Sequence, residues 1–227
     1  RSTDRGRTWS TPVDVEPADG PEASYAVLLV APPGTPQAGR VYCLYNHNTD
    51  NVRAVIAEVS SGSPEGVCRR VDSLGHFVFR FSDDGGRSWS ARRYEIPQRD
   101  FEIDRQNPYG GRLKFFWNVG KPFAHRPPAR REPAAYVPLH KVGGFGHGFF
   151  TRSEGVLLVS EDLFEVADPA RTTWKTLPDG EVGLRAPAGG GPIAEEQSTV
   201  VLSDGSFYCV YRTIDGHPAY ALSHDGG

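Results

Sequence analysis

Several things are scarce or missing in this chain, and each absence excludes a class of protein. Among the 227 residues there is no methionine and there are only three cysteines, Cys43, Cys68 and Cys209. An odd, widely spaced set cannot pair fully, so a disulfide framework is excluded, and no CxxC or Cys/His spacing suggests a zinc site. No apolar run approaches the roughly 18 residues of a membrane helix. Charge of one sign is also lacking: 25 Lys and Arg stand against 28 Asp and Glu, a net charge of −3. Such a balance gives no basic field to draw in DNA or RNA. No twelve-residue segment carries a helical apolar face. The chain opens on Arg1, which is not a native translation start, and is silent on any leader.

What is abundant is turn-forming and aromatic. Gly (26) and Pro (19) are frequent and aromatics reach 11%, a composition of all-β proteins. The segments 24–30, 40–45, 76–82, 156–160, 198–202, 207–212 and 219–223 are short, rich in β-branched or aromatic residues, and bounded by Gly, Pro, Asp or Ser. Cys43 and Cys209 fall in two of them and are expected to be buried free thiols. Strands so short and numerous predict a sandwich, barrel or propeller.

A repeat narrows this choice. Ser2-Thr3-Asp4-Arg5-Gly6-Arg7-Thr8-Trp9 and Ser82-Asp83-Asp84-Gly85-Gly86-Arg87-Ser88-Trp89 share the pattern S-x-D-x-G-x-[ST]-W. Ser160-Glu161-Asp162 restarts it, with Thr173-Trp174 closing it after an insertion, and Ser223-His224-Asp225-Gly226-Gly227 begins a fourth copy. The later copies each follow an apolar strand, which places them at hairpin tips. The Ser and Asp side chains are expected to accept from turn N–H groups, Gly to supply a positive φ, and Trp to anchor the tip. Asp4, Asp84, Asp162 and Asp225 are therefore read as structural.

This pattern resembles the Asp-box repeat of bacterial sialidases (neuraminidases), whose superfamily folds as a six-bladed β-propeller. The resemblance implies an all-β, sialidase-type propeller of which this chain holds about three blades in one partial domain: the end of blade one at 1–19, blade two at 20–97, blade three at 105–178 and blade four at 195–227. Closing six such blades would take roughly 400 residues, because a propeller protects its edges by completing the ring.

The stretch from Glu196 to Arg212 resembles the sialidase segment in which a Glu, a strand, a D-G turn (Asp204-Gly205), a second strand and an Arg follow in order. The family usually has Pro after the Glu, and here Gln197 stands there. The resemblance implies that Glu196 is the base activating a tyrosine nucleophile and that Arg212 is one of three arginines clamping a sialic acid carboxylate. The other two arginines, the acid Asp and the nucleophile would lie outside the chain. Chemically, a phenol with a pKa of about 10 needs a carboxylate to take its proton. A tyrosine nucleophile spares an anionic sugar the repulsion of a third carboxylate, and an Arg fork binds a carboxylate at two points. The bland alternatives are an exposed Glu before a strand and a strand-end Arg paired to a neighbouring acid.

Two further stretches carry site-like chemistry without matching a sialidase motif. In Tyr45–Asn51, Asn48 offers hydrogen bonds to sugar hydroxyls and Asp50 a general acid or base; an Asx-rich turn is the alternative. In Phe115–Pro122, Trp117 can stack on a pyranose while Asn118 and Lys121 bind hydroxyls or a carboxylate; core packing is the alternative. The basic, Pro-rich run His125–Arg131 reads as a solvated loop. The Gly143–Gly148 loop lacks the strand–helix context of a phosphate loop. No cofactor or metal is called for.

The functional expectation is a retaining exo-glycosidase that releases a terminal acidic sugar, sialic acid, from glycoconjugates. Two rivals stand beside it: an exo-glycosidase for another terminal sugar, and a non-catalytic propeller that binds glycan or protein. The partner is a glycan in each enzymatic reading, oligomeric state is left open, and the resemblance implies a secreted, cell-surface or periplasmic location.

Overall fold

The computed structural model describes residues 1–60, 62–146 and 150–227; His147 and Gly148 of the glycine-rich loop lie outside them. It is nearly all-β, with several antiparallel sheets, none closed. The first sheet has the order β1 (Ala23–Val30), β2 (Val41–His47), β5 (His76–Ser82), β6 (Tyr94–Glu95); a two-stranded hairpin, β3 (Val55–Ile56) with β4 (Val67–Cys68), is inserted between β2 and β5. A single-turn helix, α1 (Glu102–Arg105), leads to the second sheet. There β7 (Phe115–Trp117) and β8 (Phe123–His125) share one edge of β9 (Ala134–Val142), followed by β10 (Ser153–Ser160) and β11 (Lys175–Leu177). The third sheet is β12 (Glu195–Val201), β13 (Phe207–Arg212) and β14 (Ala219–Ser223). Among the described residues no helix is long and apolar enough to cross a membrane.

The main core lies between the first and second sheets and includes Leu44, Phe77, Phe79, Phe116, Val137, Leu139, Leu158 and Phe164. Each such side chain contributes about 1.5–3 kcal/mol of transfer free energy when fully buried. One ion pair is enclosed in this region: Lys141 Nζ lies 2.6 Å from Asp104 Oδ2, both side chains fully buried. The Asp104 carboxylate also accepts from the Phe101 N–H at 2.8 Å, tying α1 to β9. Burial draws the Lys141 ammonium below its usual pKa, opposed by Asp104. Cys43 is buried as expected, whereas Cys68 and Cys209 are only partly covered; all three are free.

The Ser-Asp-Gly tips build one recurrent hydrogen-bond pattern. Ser82 Oγ donates to Asp84 Oδ1 (2.7 Å) and accepts from Gly86 N–H (2.8 Å), while Asp84 accepts from Ser88 N–H (3.0 Å) and Oγ (2.7 Å). Ser2, Asp4, Gly6 and Thr8 repeat these bonds at 2.8, 2.7, 3.0 and 2.7 Å. In the third copy Asp162 reaches across the insertion to Thr173 N–H at 2.9 Å and Thr173 Oγ1 at 2.7 Å. In the fourth, Ser223 Oγ bonds Asp225 and Gly227 N–H, each at 2.7 Å. The last three copies follow β5, β10 and β14, the third strand of each sheet path. These donors hold the Asp4 carboxyl down at about 2 and push that of Asp84 lower still. The tryptophans diverge: Trp89 packs on Cys43, Tyr45 and Val78, and Trp174 on the main core. Trp9 is exposed, contrary to the expected anchor, because no sheet lies beneath it among the described residues.

Candidate functional site

The first strand of each sheet is disturbed near its start. In β1 the register slips by one residue between Ser24 and Val27, and in β12 between Glu195 and Ser198. In the second sheet the first strand is broken altogether: Trp117 pairs with His140 and Phe123 with Tyr136, and residues 118–122 loop out between them. The break lies opposite Pro138, which has no N–H to donate to a ladder. The two bulges put Tyr25 and Glu196 at φ of +58° each. That is a left-handed conformation which glycine ordinarily fills in such bulges. Strain of this kind gathers where a side chain must be re-aimed.

Around the β12 bulge the predicted pair does meet. Arg212, paired in register with Glu195, places its Nε 3.2 Å from Glu196 Oε2 and bonds Glu195 Oε1 through Nη2. The two adjacent carboxylates differ sharply. The Glu195 side chain is 1% exposed and that of Glu196 is 41% exposed. Burial raises the Glu195 pKa against the opposing pull of Arg212. Glu196 and Arg212 line a surface cavity of about 440 Å³ with Ser198, Val210, Thr213 and His217. A second cavity, between the second and third sheets, is lined by residues such as Val156, Leu157, Leu177, Phe207 and Cys209 and is mainly apolar.

His140 sits behind this pair, fully buried. Its Nε2 accepts the Glu196 N–H and so pins the bulge. Burial, with the Arg212 charge second, holds its pKa at about 3, so the ring is neutral. Trp117 is 6% exposed, with the His140 ring centred 5.0 Å and the Tyr25 ring 5.1 Å from it. Among the described residues, buried polar atoms without a partner concentrate here: both amide atoms of Asn118, His140 Nδ1 and Gln197 Oε1, while the Trp117 indole N–H faces the Glu195 carboxylate. Folded chains leave few such groups unpaired. The Tyr25 hydroxyl donates to Asp72 Oδ2 at 3.0 Å and accepts from Arg70 Nη2 at 2.6 Å. Arg70 Nε is held by Asp72 at 2.8 Å.

The other expected contact residues are placed differently. Both polar ends of the Asn48 side chain are spent on Val52, at 2.8 and 3.0 Å, so this is the Asx-rich turn rather than a sugar contact. Asp50 is exposed 3.7 Å from His76 Nε2, in a separate depression with Glu95 and Lys114, away from Glu196. Trp117 is nearly buried among the rings of Tyr25, His140 and Phe150, which is the core packing that the sequence also allowed. Asn118 is fully buried beside it, and Lys121 is exposed on the intervening loop. Gly120 lets that loop lie on β12, where a Cβ would come within 2.6 Å of Gln197 O. Glu195, His140, Tyr25, Arg70 and Asp72 went unmarked in the sequence. The Glu195-Glu196 doublet was the one local signal.

No family model and no curated protein matches the chain by sequence. Among solved structures, a protein of unknown function from Dyadobacter fermentans DSM 18053 aligns with a TM-score of 0.49 and 16% identity, over 90% of this chain and 48% of its own. The intramolecular trans-sialidase from Ruminococcus gnavus, in complex with oseltamivir carboxylate, aligns with a TM-score of 0.39 and 16% identity, over 99% of this chain and 50% of its own. The chain thus spans about half the length of each.

Proposed function

We propose that the chain is part of a sialidase-like, retaining exo-glycosidase built on a six-bladed propeller, with the three sheets as blades two to four and a terminal sugar seated at Glu196 and Arg212. One observation carries this reading: a half-exposed carboxylate and a guanidinium, 3.2 Å apart on adjacent strands, edge a cavity at a strained bulge. The recurrent Ser-Asp-Gly tips support the propeller. In this scheme Glu196 takes the phenolic proton of a tyrosine supplied from elsewhere, and Arg212 meets the anionic group of the sugar. Glu195, buried behind the guanidinium, orients it. The substrate class is a glycoconjugate bearing a terminal acidic sugar, and the compartment is secreted, cell-surface or periplasmic.

A second reading, release of a neutral sugar, is favoured by the charge around Arg212, which already lies between two carboxylates. The test is hydrolysis of fluorogenic sialoside, glucuronide and neutral glycosides by the protein that carries this chain. Glu196→Gln should cost about 10²-fold or more in kcat, as loss of a general base does, and Arg212→Ala should raise KM chiefly for acidic substrates. Wild-type rates in both variants would reject the assignment. Binding of these sugars without turnover would leave a glycan-binding module.

A further inference from the structure

Counted from the Ser of each tip, the three sheets share one pairing register. Ser82, Ser160 and Ser223 stand opposite Val41, Ala135 and Phe207. Phe79 of the first sheet therefore corresponds to Leu157 of the second, and their neighbours on the outer strands, Tyr94 and Leu177, correspond as well. By the same count Cys43 of the first sheet corresponds to Cys209 of the third. Two tryptophans show what such places hold. Trp174 packs on the core between the first and second sheets, its ring 6.5 Å from Phe79, which is stacked on Tyr94. Trp89 packs against Cys43 on the opposite face of the first sheet. The corresponding walls meet between the second and third sheets. There Leu157 and Leu177 on one side, and Cys209 with Ala221 on the other, line a cavity of about 340 Å³. The fourth tip lies at its rim, since a Cβ on Gly227 would come within 2.9 Å of the Leu157 side chain.

The lining is mainly apolar, with one exception that points to a ligand. Gln197 lines the cavity at 3% exposure, and among the described residues its Oε1 has no hydrogen-bond partner. Its Nε2 donates to Ala194 O at 3.3 Å, so the oxygen is the free end. Gly155 makes room for this amide, because a Cβ there would collide with Nε2. A buried acceptor of this kind carries a desolvation cost until a donor reaches it.

We propose that this cavity is a binding site for an indole ring, the side chain of a tryptophan, seated against Leu157, Leu177 and Cys209 with its N–H donated to Gln197 Oε1. An indole joins a broad apolar ring to a single N–H that takes a partner when buried. Trp174 meets the same need by donating to Thr172 Oγ1 at 3.2 Å. Among the described residues the cavity shares no lining residue with that of Glu196 and Arg212, so the proposal stands apart from the glycan reading.

Alkylation of the 227-residue chain by N-ethylmaleimide, followed by peptide mass mapping, tests this at Cys209, with the partly covered Cys68 as internal control. Saturating indole should suppress alkylation at Cys209 and leave Cys68 unchanged, and N-acetyltryptophanamide should do the same. 1-Methylindole keeps the ring but lacks the N–H, so equal protection should take about five-fold or more higher concentration, as loss of one hydrogen bond predicts. Gln197→Leu should abolish the difference between the two indoles. An unchanged rate at Cys209, or equal suppression at Cys68, would overturn the site. Equal protection of wild type by indole and 1-methylindole would overturn the Gln197 contact without recourse to any variant. Protection by indole and none by N-acetyltryptophanamide would overturn the assignment to a tryptophan side chain.

Discussion

At the scale of single residues, the site is an arrangement of costs. Holding a non-glycine residue in the left-handed region costs roughly 1–2 kcal/mol, and glycine relieves this at some loss of chain entropy. Replacing Glu196, whose side chain is half-exposed, with Gly should stabilise the fold by about 1 kcal/mol in urea titration while abolishing the Arg212 contact. A destabilised Glu196→Gly would mean that the bulge is held for packing rather than for the carboxylate. His140 supplies a second residue-level test. Its folded pKa of about 3 lies below its ordinary value of 6.5. Between these values the unfolded chain binds a proton that the folded chain refuses, so stability falls as pH is lowered through the window, by about 1.4 kcal/mol per unit once the unfolded histidine is charged. The lowered pKa values of His47 and His125 act in the same direction, and the raised pKa of Glu195 acts oppositely near its own titration. The comparison is therefore between wild type and His140→Gln, whose stability from pH 7 to 5 should depend less steeply on pH. Equal slopes would mean that the imidazole protonates in the folded chain.

At the scale of elements, what a sequence discloses depends on how far apart the cooperating groups are. Strands such as His76–Ser82 and Phe207–Arg212 were read to the residue because their alternation and flanking turns are local. The nine-residue β9 was not read: every residue is buried, so there is no alternation, and Pro138 argues against a central strand until the break in its neighbour is seen. Glu196 and Arg212 were singled out by the resemblance of one hairpin to a sialidase segment, and that hairpin does bring the two side chains together. Tyr25 was not, because Asp72 and Arg70 approach it from 47 and 45 residues away, while its own segment reads as an ordinary apolar strand. The repeat tips were legible down to their hydrogen bonds, and the third copy extends the idea. There Asp162 ties Ser160 to Thr173 across an intervening loop that contains the short 3₁₀ turn Pro169–Arg171. Asp162→Ala removes charged acceptors from two donors of Thr173 and should cost about 2–3 kcal/mol. It should also speed amide exchange at Thr173. Exchange at Thr173 as slow as in wild type would show that the loop closes without the carboxylate.

At the scale of the whole molecule, the three sheets are covered unequally. The second is packed on both sides: its β9 is buried at every position and the main core fills the space toward the first sheet. The outer sheets are not. Val200, Val210, Tyr220 and Leu222 stand on one face of the third sheet, with Tyr208 stacked on Tyr220 at 5.4 Å, and all but Tyr208 are strongly exposed. Leu28 and Val30 are likewise exposed on the first sheet. Contiguous apolar surface on a β-sheet drives association when nothing covers it. The 227-residue chain on its own should therefore bind an apolar dye such as ANS and run above its 24.9 kDa mass in light scattering at micromolar concentration. Because these side chains make few contacts to lose, the fourfold variant Val200→Thr, Val210→Thr, Tyr220→Ser, Leu222→Thr should suppress both signals with little change in melting temperature. Retained dye binding in that variant would move the adhesive surface to the first sheet, where Leu28→Thr with Val30→Thr makes the corresponding test. A wild-type chain that is monomeric and does not bind dye would mean that these faces are too small or too broken to associate.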